Sequence, residues 1–365
     1  MTLIIYFCNF IPFLKQLMRD RLIIAKWLLL FVLLLSSCSS QPGFSQKTGV
    51  LIGLRHDVAS IEPLPYGENA GAGTLSTYRT LWVSFDEQDS ISIHDLKHVI
   101  VPRSDNFWKI EVIRQHAGNW VEDRIISTPI NQTPEISRLD AMTVAECEGN
   151  KRLSLIFVGT DFLSFEGGSD GYCQGAAHPW HVNYLKTVSL DDPNSEGTEI
   201  SRVLPGEART ALLNGAKNYI ARARDERLNP DPDETNWGVI RRRGQWILRG
   251  QLDYSAEVFR GIFAHFDIDL KPTDRLVGFD QLSIPWERIK EIAPAARDAI
   301  TSPDRKFAIV LTKDKLLIHS MPDFKKIREI NLYTNEFIIM AQWADSSQVN
   351  KWHEVITYLS NREVR

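Results

Sequence analysis

Short runs of β-branched and aromatic residues, cut every few positions by Asp, Ser, Gly or Pro, recur along most of this chain. They limit its fold more than any other feature. Thr80–Phe85 (TLWVSF), His98–Pro102 (HVIVP), Phe107–Ile113 (FWKIEVI), Leu153–Val158 and Phe162–Phe165 read as strands. A Gly-rich turn at Gly167–Gly171 follows, then a strand at His181–Leu190. Trp237–Arg242 and Gln245–Tyr254 bracket Arg243-Gly244 and read as a hairpin, with Gly261–Leu270 continuing it. From Phe307 the segments FAIVLT, KLLIHS, KKIREINLY and EFIIMAQWA form a meander joined at Lys313-Asp314 and Pro322-Asp323.

Three helices are predicted. Pro205–Arg224 opens on Pro and Glu and closes on basic residues, as the helix dipole favours. Pro285–Ile292 is short and stops before Pro294. At the end of the chain Ser346 is the expected cap of a helix with the stripe Val349, Trp352, Ile356 and Leu359. The pattern implies an α+β fold: antiparallel sheets with one long helix, plus a C-terminal β-meander and terminal helix. Ser302-Pro303-Asp304 resembles the opening of a β-propeller blade, but a propeller needs about four blades. One such unit predicts a small α+β appendage instead.

Leu35-Ser36-Ser37-Cys38 closes the apolar run Trp27–Leu35 and reads as a lipobox, with Arg19, Arg21 and Lys26 as its basic flank. Cleavage before Cys38 and acylation of its thiol would tether the protein outside the cytoplasmic membrane. Leu22–Leu35 is fourteen residues interrupted by Lys26, short of the about 20 that a bilayer core requires. A transmembrane anchor is the weaker reading. Each buried CH₂ of the lipid adds about 0.8 kcal/mol to attachment. Met18 offers an alternative start that gives a leader of ordinary length.

Of 365 residues, 37 precede Cys38, and these carry four basic and one acidic residue. The net charge of −4 for the whole chain therefore falls to about −7 for the 328 that follow. No long run of one sign is present, which argues against nucleic acid as a partner. The expected organisation is a leader at 1–37, a lipidated tether at 38–50, a β-rich region at 51–145, an α+β domain at 146–295 and a final unit at 296–365. Beyond Cys38 only Cys147 and Cys173 remain. An oxidising compartment favours a disulfide between them over a metal site or reactive thiol.

Several motifs invite chemistry and mostly fail. Gly167-Gly168-Ser169-Asp170-Gly171 matches G-x-S-x-G, yet Pro179 discourages the helix that a nucleophile elbow requires. His178 and His181 are spaced H-x-x-H with Cys173 upstream, but no further Cys/His cluster completes a zinc set. No metal or other cofactor is expected. Arg241-Arg242-Arg243 reads as a solvated hairpin tip, with capture of an anionic polymer or headgroup as the alternative.

Tyr172–Thr187 (YCQGAAHPWHVNYLKT) resembles a domain of unknown function shared with lysozyme-sensing anti-sigma factors and found beside some peptidoglycan deacetylase domains. Gly175, Ala177, His178 and Pro179 match that family's Gly-Gly-Ala-His followed by Pro or a polar residue, and Asn183-Tyr184 and Leu185-Lys186-Thr187 follow in register. Ala176 and Val188 stand where the family has glycine. The resemblance spans roughly residues 146–293 and implies an α+β fold in an extracytoplasmic setting. Lysozyme binding belongs to some members only and does not transfer on this motif.

The expected protein is a non-catalytic binding module, anchored in the membrane through Cys38, for a cell-wall glycan, another envelope component or an external protein. The alternative is an envelope hydrolase with a site around Tyr172–His181. The candidate binding turn comprises Tyr172, Gly175, His178, Pro179 and His181, with His178 expected to bond local backbone and hold the turn.

Overall fold

The computed structural model describes residues 46–59, 74–86, 90–104, 106–134, 136, 146–204, 206–254, 262–321 and 323–363. Cys38 lies outside them. Among the described residues no helix is long and apolar enough to cross a membrane.

Among the described residues seventeen strands form four sheets. The first has the order β17-β1-β2-β3 and takes β1 (Gln46–Ala59), β2 (Thr74–Asp86), β3 (Ile91–Lys97) and β17 (Phe337–Ala344). The second runs in chain order through β4 (Val99–Arg103), β5 (Asn106–Ala117), β6 (Trp120–Pro129), β7 (Cys147–Val158), β8 (Phe162–Cys173) and β9 (Trp180–Ser189). Its two halves meet through parallel pairing of Trp120–Glu122 with Gly149–Lys151. The third holds β10 (Trp237–Arg242), β11 (Gln245–Asp253) and β12 (Phe263–Ile268). The fourth holds β13 (Asp298–Thr301), β14 (Phe307–Leu311), β15 (Lys315–Ser320) and β16 (Lys326–Asn331). The helices are α1 (Ile200–Val203), α2 (Ala208–Ala223), α3 (Trp286–Ile292) and α4 (Val349–Glu363).

The four sheets are arranged as a four-bladed β-propeller, with 52% strand and 15% helix. This overturns the α+β expectation, and α2 and α4 are of similar length at 16 and 15 residues. The ring can be followed interface by interface. Leu51 and Trp82 face the second sheet, where they join Leu155 and Val188. Their strand neighbours Val50 and Val83 point the other way and meet Ile309 and Ile318 of the fourth sheet, as the period of two requires. Phe157 of the second sheet packs with Trp237 and Leu248 of the third, under Leu212 of α2. The third and fourth sheets meet through Arg241, whose Nε lies 2.5 Å from Asp298 Oδ2.

Two terminal segments close this ring. β17 leaves the expected meander and pairs antiparallel with β1, from Gly49↔Ala344 to Arg55↔Phe337. The appendage expected at the C-terminus is therefore part of the propeller. α4 lays Val349, Trp352 and Ile356 into the core between the first two sheets. Its start is fixed by Asp345, whose Oδ1 accepts the backbone N–H groups of Ser347 and Gln348, so Asp345 takes the role expected of Ser346. Ser302-Pro303-Asp304 does open a blade strand. Ser302 Oγ accepts the N–H groups of Lys306 and Phe307 and donates to Asp304.

Candidate functional site

The predicted Gly-rich turn is the middle of a strand. Gly167–Gly171 lies within β8, and its glycines make room for aromatic rings instead of turning the chain. A Cβ at Gly171 would come within 2.3 Å of the Trp180 ring, and one at Gly167 within 2.7 Å of Tyr184. Ser169 Oγ accepts a hydrogen bond from Trp180 Nε1 at 3.1 Å. Asp170, one position on, points to the opposite face. There it bonds His181 Nδ1 and receives Arg152 Nη2 at 3.1 Å. Serine and histidine thus stand on opposite faces, so the G-x-S-x-G match forms no nucleophile elbow.

Cys147 and Cys173 are bridged and occupy directly opposed positions on β7 and β8. A non-reducing peptide map is expected to show this bridge, and Cys147→Ser to cost about 2–4 kcal/mol by the entropy of the closed loop. Two free thiols, or an unchanged urea midpoint, would refute the prediction.

Beyond the bridge the chain turns at Cys173–Ala176, where Ala176 N–H bonds Cys173 O at 3.0 Å. Gly175 has φ +87°, the left-handed angle that the third position of a type II turn demands. Tyr172 is half-buried opposite Glu148. His178 and Pro179 are exposed. Among the described residues His178 accepts and donates no hydrogen bond, contrary to the expectation that it holds the turn. His178→Ala is therefore expected to change stability by no more than about 0.5 kcal/mol. A larger loss in thermal melts would contradict this. Among the described residues no group of three His, Cys, Asp or Glu side chains is placed to hold a metal.

The sequence reading missed a cavity of about 390 Å³ where all four sheets converge. Arg55 of β1, Arg241, Arg242 and Arg243 of the β10–β11 hairpin, Arg249 of β11 and Arg297 beside β13 line it, with Glu166 and Asp298 as its carboxylates. The hairpin reaches it by a two-residue turn with both central residues at positive φ, Arg243 at 51° and Gly244 at 80°. That is the type I′ geometry that suits twisted strands. Gly244 N–H donates to Asp298 Oδ1 at 2.7 Å. The expected solvated tip is thus pinned to the fourth sheet.

Charge in the cavity is unevenly answered. The Arg241 side chain is 4% exposed and pairs with Asp298 and Asp280. Arg55 Nη1 lies 3.4 Å from Glu166 and Nε 3.2 Å from Asp57. Arg242 grips Asp267 with both Nη atoms at 2.5 and 2.8 Å. Arg249 makes no ion pair among the described residues, and its buried Nε has no hydrogen-bond partner. Burial, then the charge of Arg242, pulls the Arg249 guanidinium below its usual range. Neighbouring His265 is pushed down to about 4, first by burial and then by Arg249. Phe337 completes the wall, with the Arg55 and Arg297 guanidinium carbons 5.2 and 5.0 Å from its ring centroid.

No local signal marks these arginines. Arg55 and Arg249 read as ordinary polar positions of alternating strands, and only the run Arg241–Arg243 stands out in the sequence. Neither a known protein family nor a curated protein matches the chain.

Proposed function

We propose that the chain is a lipid-tethered, extracytoplasmic binding module for a cell-envelope component or external protein, with the central cavity as its port. The observation that carries this reading is the convergence of four sheets on one cavity wide enough for a small ligand or the end of a larger one. Tethering rests on Leu35–Cys38 and its basic and apolar flanks.

The test uses the full-length chain in detergent, immobilised and exposed to envelope extract, with retained proteins and glycans identified. Wild type is expected to partition into detergent and retain a defined component, and Cys38→Ala to remain uncleaved or become water-soluble. A water-soluble wild type with unmodified Cys38 overturns the tether, and an extract that leaves nothing retained overturns the binding role. The hydrolase alternative draws on the exposed His181 bonded to Asp170. Turnover of an envelope polymer that is lost in His181→Ala would put it first.

A further inference from the structure

We infer that the central cavity is an oxyanion site, which holds a phosphate or carboxylate group of its ligand on Arg249, Arg243 and Arg297. The inference rests on the binding-module reading and adds the chemistry of the ligand. The argument is one of unanswered charge. Arg55, Arg241 and Arg242 have carboxylate partners within the fold. Arg249, Arg243 and Arg297 line the same cavity, and among the described residues none of them has a carboxylate within ion-pair distance. Arg297 is steadied by Asn335 Oδ1 at 3.1 Å, a neutral acceptor that leaves its charge in place.

Arg249 is the sharpest case. A buried donor on a charged group is costly to leave unpaired, yet its Nε is closed to solvent without an acceptor. An oxyanion in the cavity would supply one. Its charge would also oppose the repulsion from Arg242, which Asp267 and Glu166 oppose only from beyond ion-pair distance. Guanidinium groups suit this role because their planar fork matches carboxylate and phosphate oxygens in pairs. The exposed positions of Arg243 and Arg297 set them at the mouth, with Arg55 and Arg241 buried beneath. Glu166, which pairs with Arg55, occupies one side and disfavours a second anionic group there. The volume admits an oxyanion with a small body, or the charged terminus of an envelope glycan.

The experiment titrates the full-length chain in detergent with pyrophosphate and with citrate by calorimetry at low ionic strength. A muramyl peptide, with its carboxylates free or amidated, serves as competitor. Wild type is expected to bind both probes, with affinity falling as salt rises. Arg249→Met is expected to weaken binding about tenfold or more, with Arg249→Lys retaining part of it. Arg288→Met, on the exposed face of α3, should bind as wild type does. Because Arg249 has no ion pair to lose and a buried Nε without an acceptor, Arg249→Met should melt at or above wild type. If it does not, the exposed Arg243→Met carries the same comparison. Competition that disappears on amidation identifies a carboxylate of the cell-wall peptide as the source, and no competition by either form identifies a small soluble anion.

Failure to bind either probe, or equal binding by folded Arg249→Met and Arg243→Met, overturns the site. The two readings separate in the envelope extract. A component retained equally by wild type and Arg249→Met leaves the binding module standing and removes the oxyanion site. Probe binding lost in Arg249→Met, with nothing retained from extract, keeps the site and removes the envelope reading.

Discussion

Asp298→Ala is expected to lower the unfolding free energy by about 3–5 kcal/mol, the usual cost of removing one partner from a buried ion pair. The Asp298 carboxylate is 11% exposed and Arg241 is 4% exposed. Besides Arg241, it accepts the backbone N–H groups of Gly244 and Ala299 at 2.7 and 2.8 Å. Truncation would leave a buried guanidinium with only Asp280 at 3.4 Å and the Ala299 carbonyl at 2.6 Å. This carboxylate ties the tip of the β10–β11 hairpin to β13, beside the bond from Arg241 to the Ala299 carbonyl. Urea unfolding should show a lower midpoint, and thermal melting a drop of roughly 10 °C. Arg241→Met combined with Asp298→Leu should recover part of the loss, because neither charge is then stranded. A single-variant loss below about 1 kcal/mol would mean that the third and fourth sheets are held by something other than this pair.

Glu336→Ala is expected to cost a similar amount, at the other closure of the ring. Glu336 is 1% exposed and receives Arg79 Nε and Nη2 at 2.8 and 2.7 Å, together with Tyr333 N–H at 3.0 Å. It stands at the entry to β17, and Arg79 lies on β2, so the pair staples the C-terminal strand across β1. Arg79 would keep only Asp95, whose side chain is 54% exposed and well screened. A loss of about 3–5 kcal/mol follows, and hydrogen exchange should rise first along Phe337–Ala344. Glu336→Gln, which keeps the packing and one acceptor, should lie between Ala and wild type. Unchanged exchange in β17 with a normal melting curve would refute the staple.

The parts of the fold legible in the sequence were those decided within a few residues. Arg243-Gly244 set a hairpin because a two-residue turn needs a glycine-tolerant angle, and the flanking runs alternate as strands do. The segment Pro205–Arg224 announced α2 by its ends, and the helix runs Ala208–Ala223. Cys147 and Cys173 could be paired because no other cysteine follows Cys38. The tertiary structure overruled the sequence at Gly167–Gly171. Glycine and Asp-Gly suggested a turn by local preference, whereas Trp180 and Tyr184 cover the bare backbone and keep β8 extended. β1, β3, β6 and β13 had no counterpart among the predicted strands.

By itself the sequence determined most of the local strands, the ends of the three predicted helices within a few residues, the cysteine pair and the acidic balance that disfavours nucleic acid. It also carries Leu35–Cys38, the basis of the proposed lipid tether, whose cysteine lies outside the described residues. Only the tertiary structure decided that the sheets close into a propeller and that a basic cavity lies at their meeting. The reason is range. Turn chemistry and period act over two to four positions, whereas β1 must find β17 nearly 300 residues away. That pairing depends on burying both faces of β1 at once, against the second sheet and the fourth. Arginines at positions 55, 249 and 297 look like solvent-facing residues until the ring brings them together. In a chain whose net charge is negative, only that closure gathers six of its arginines on one cavity.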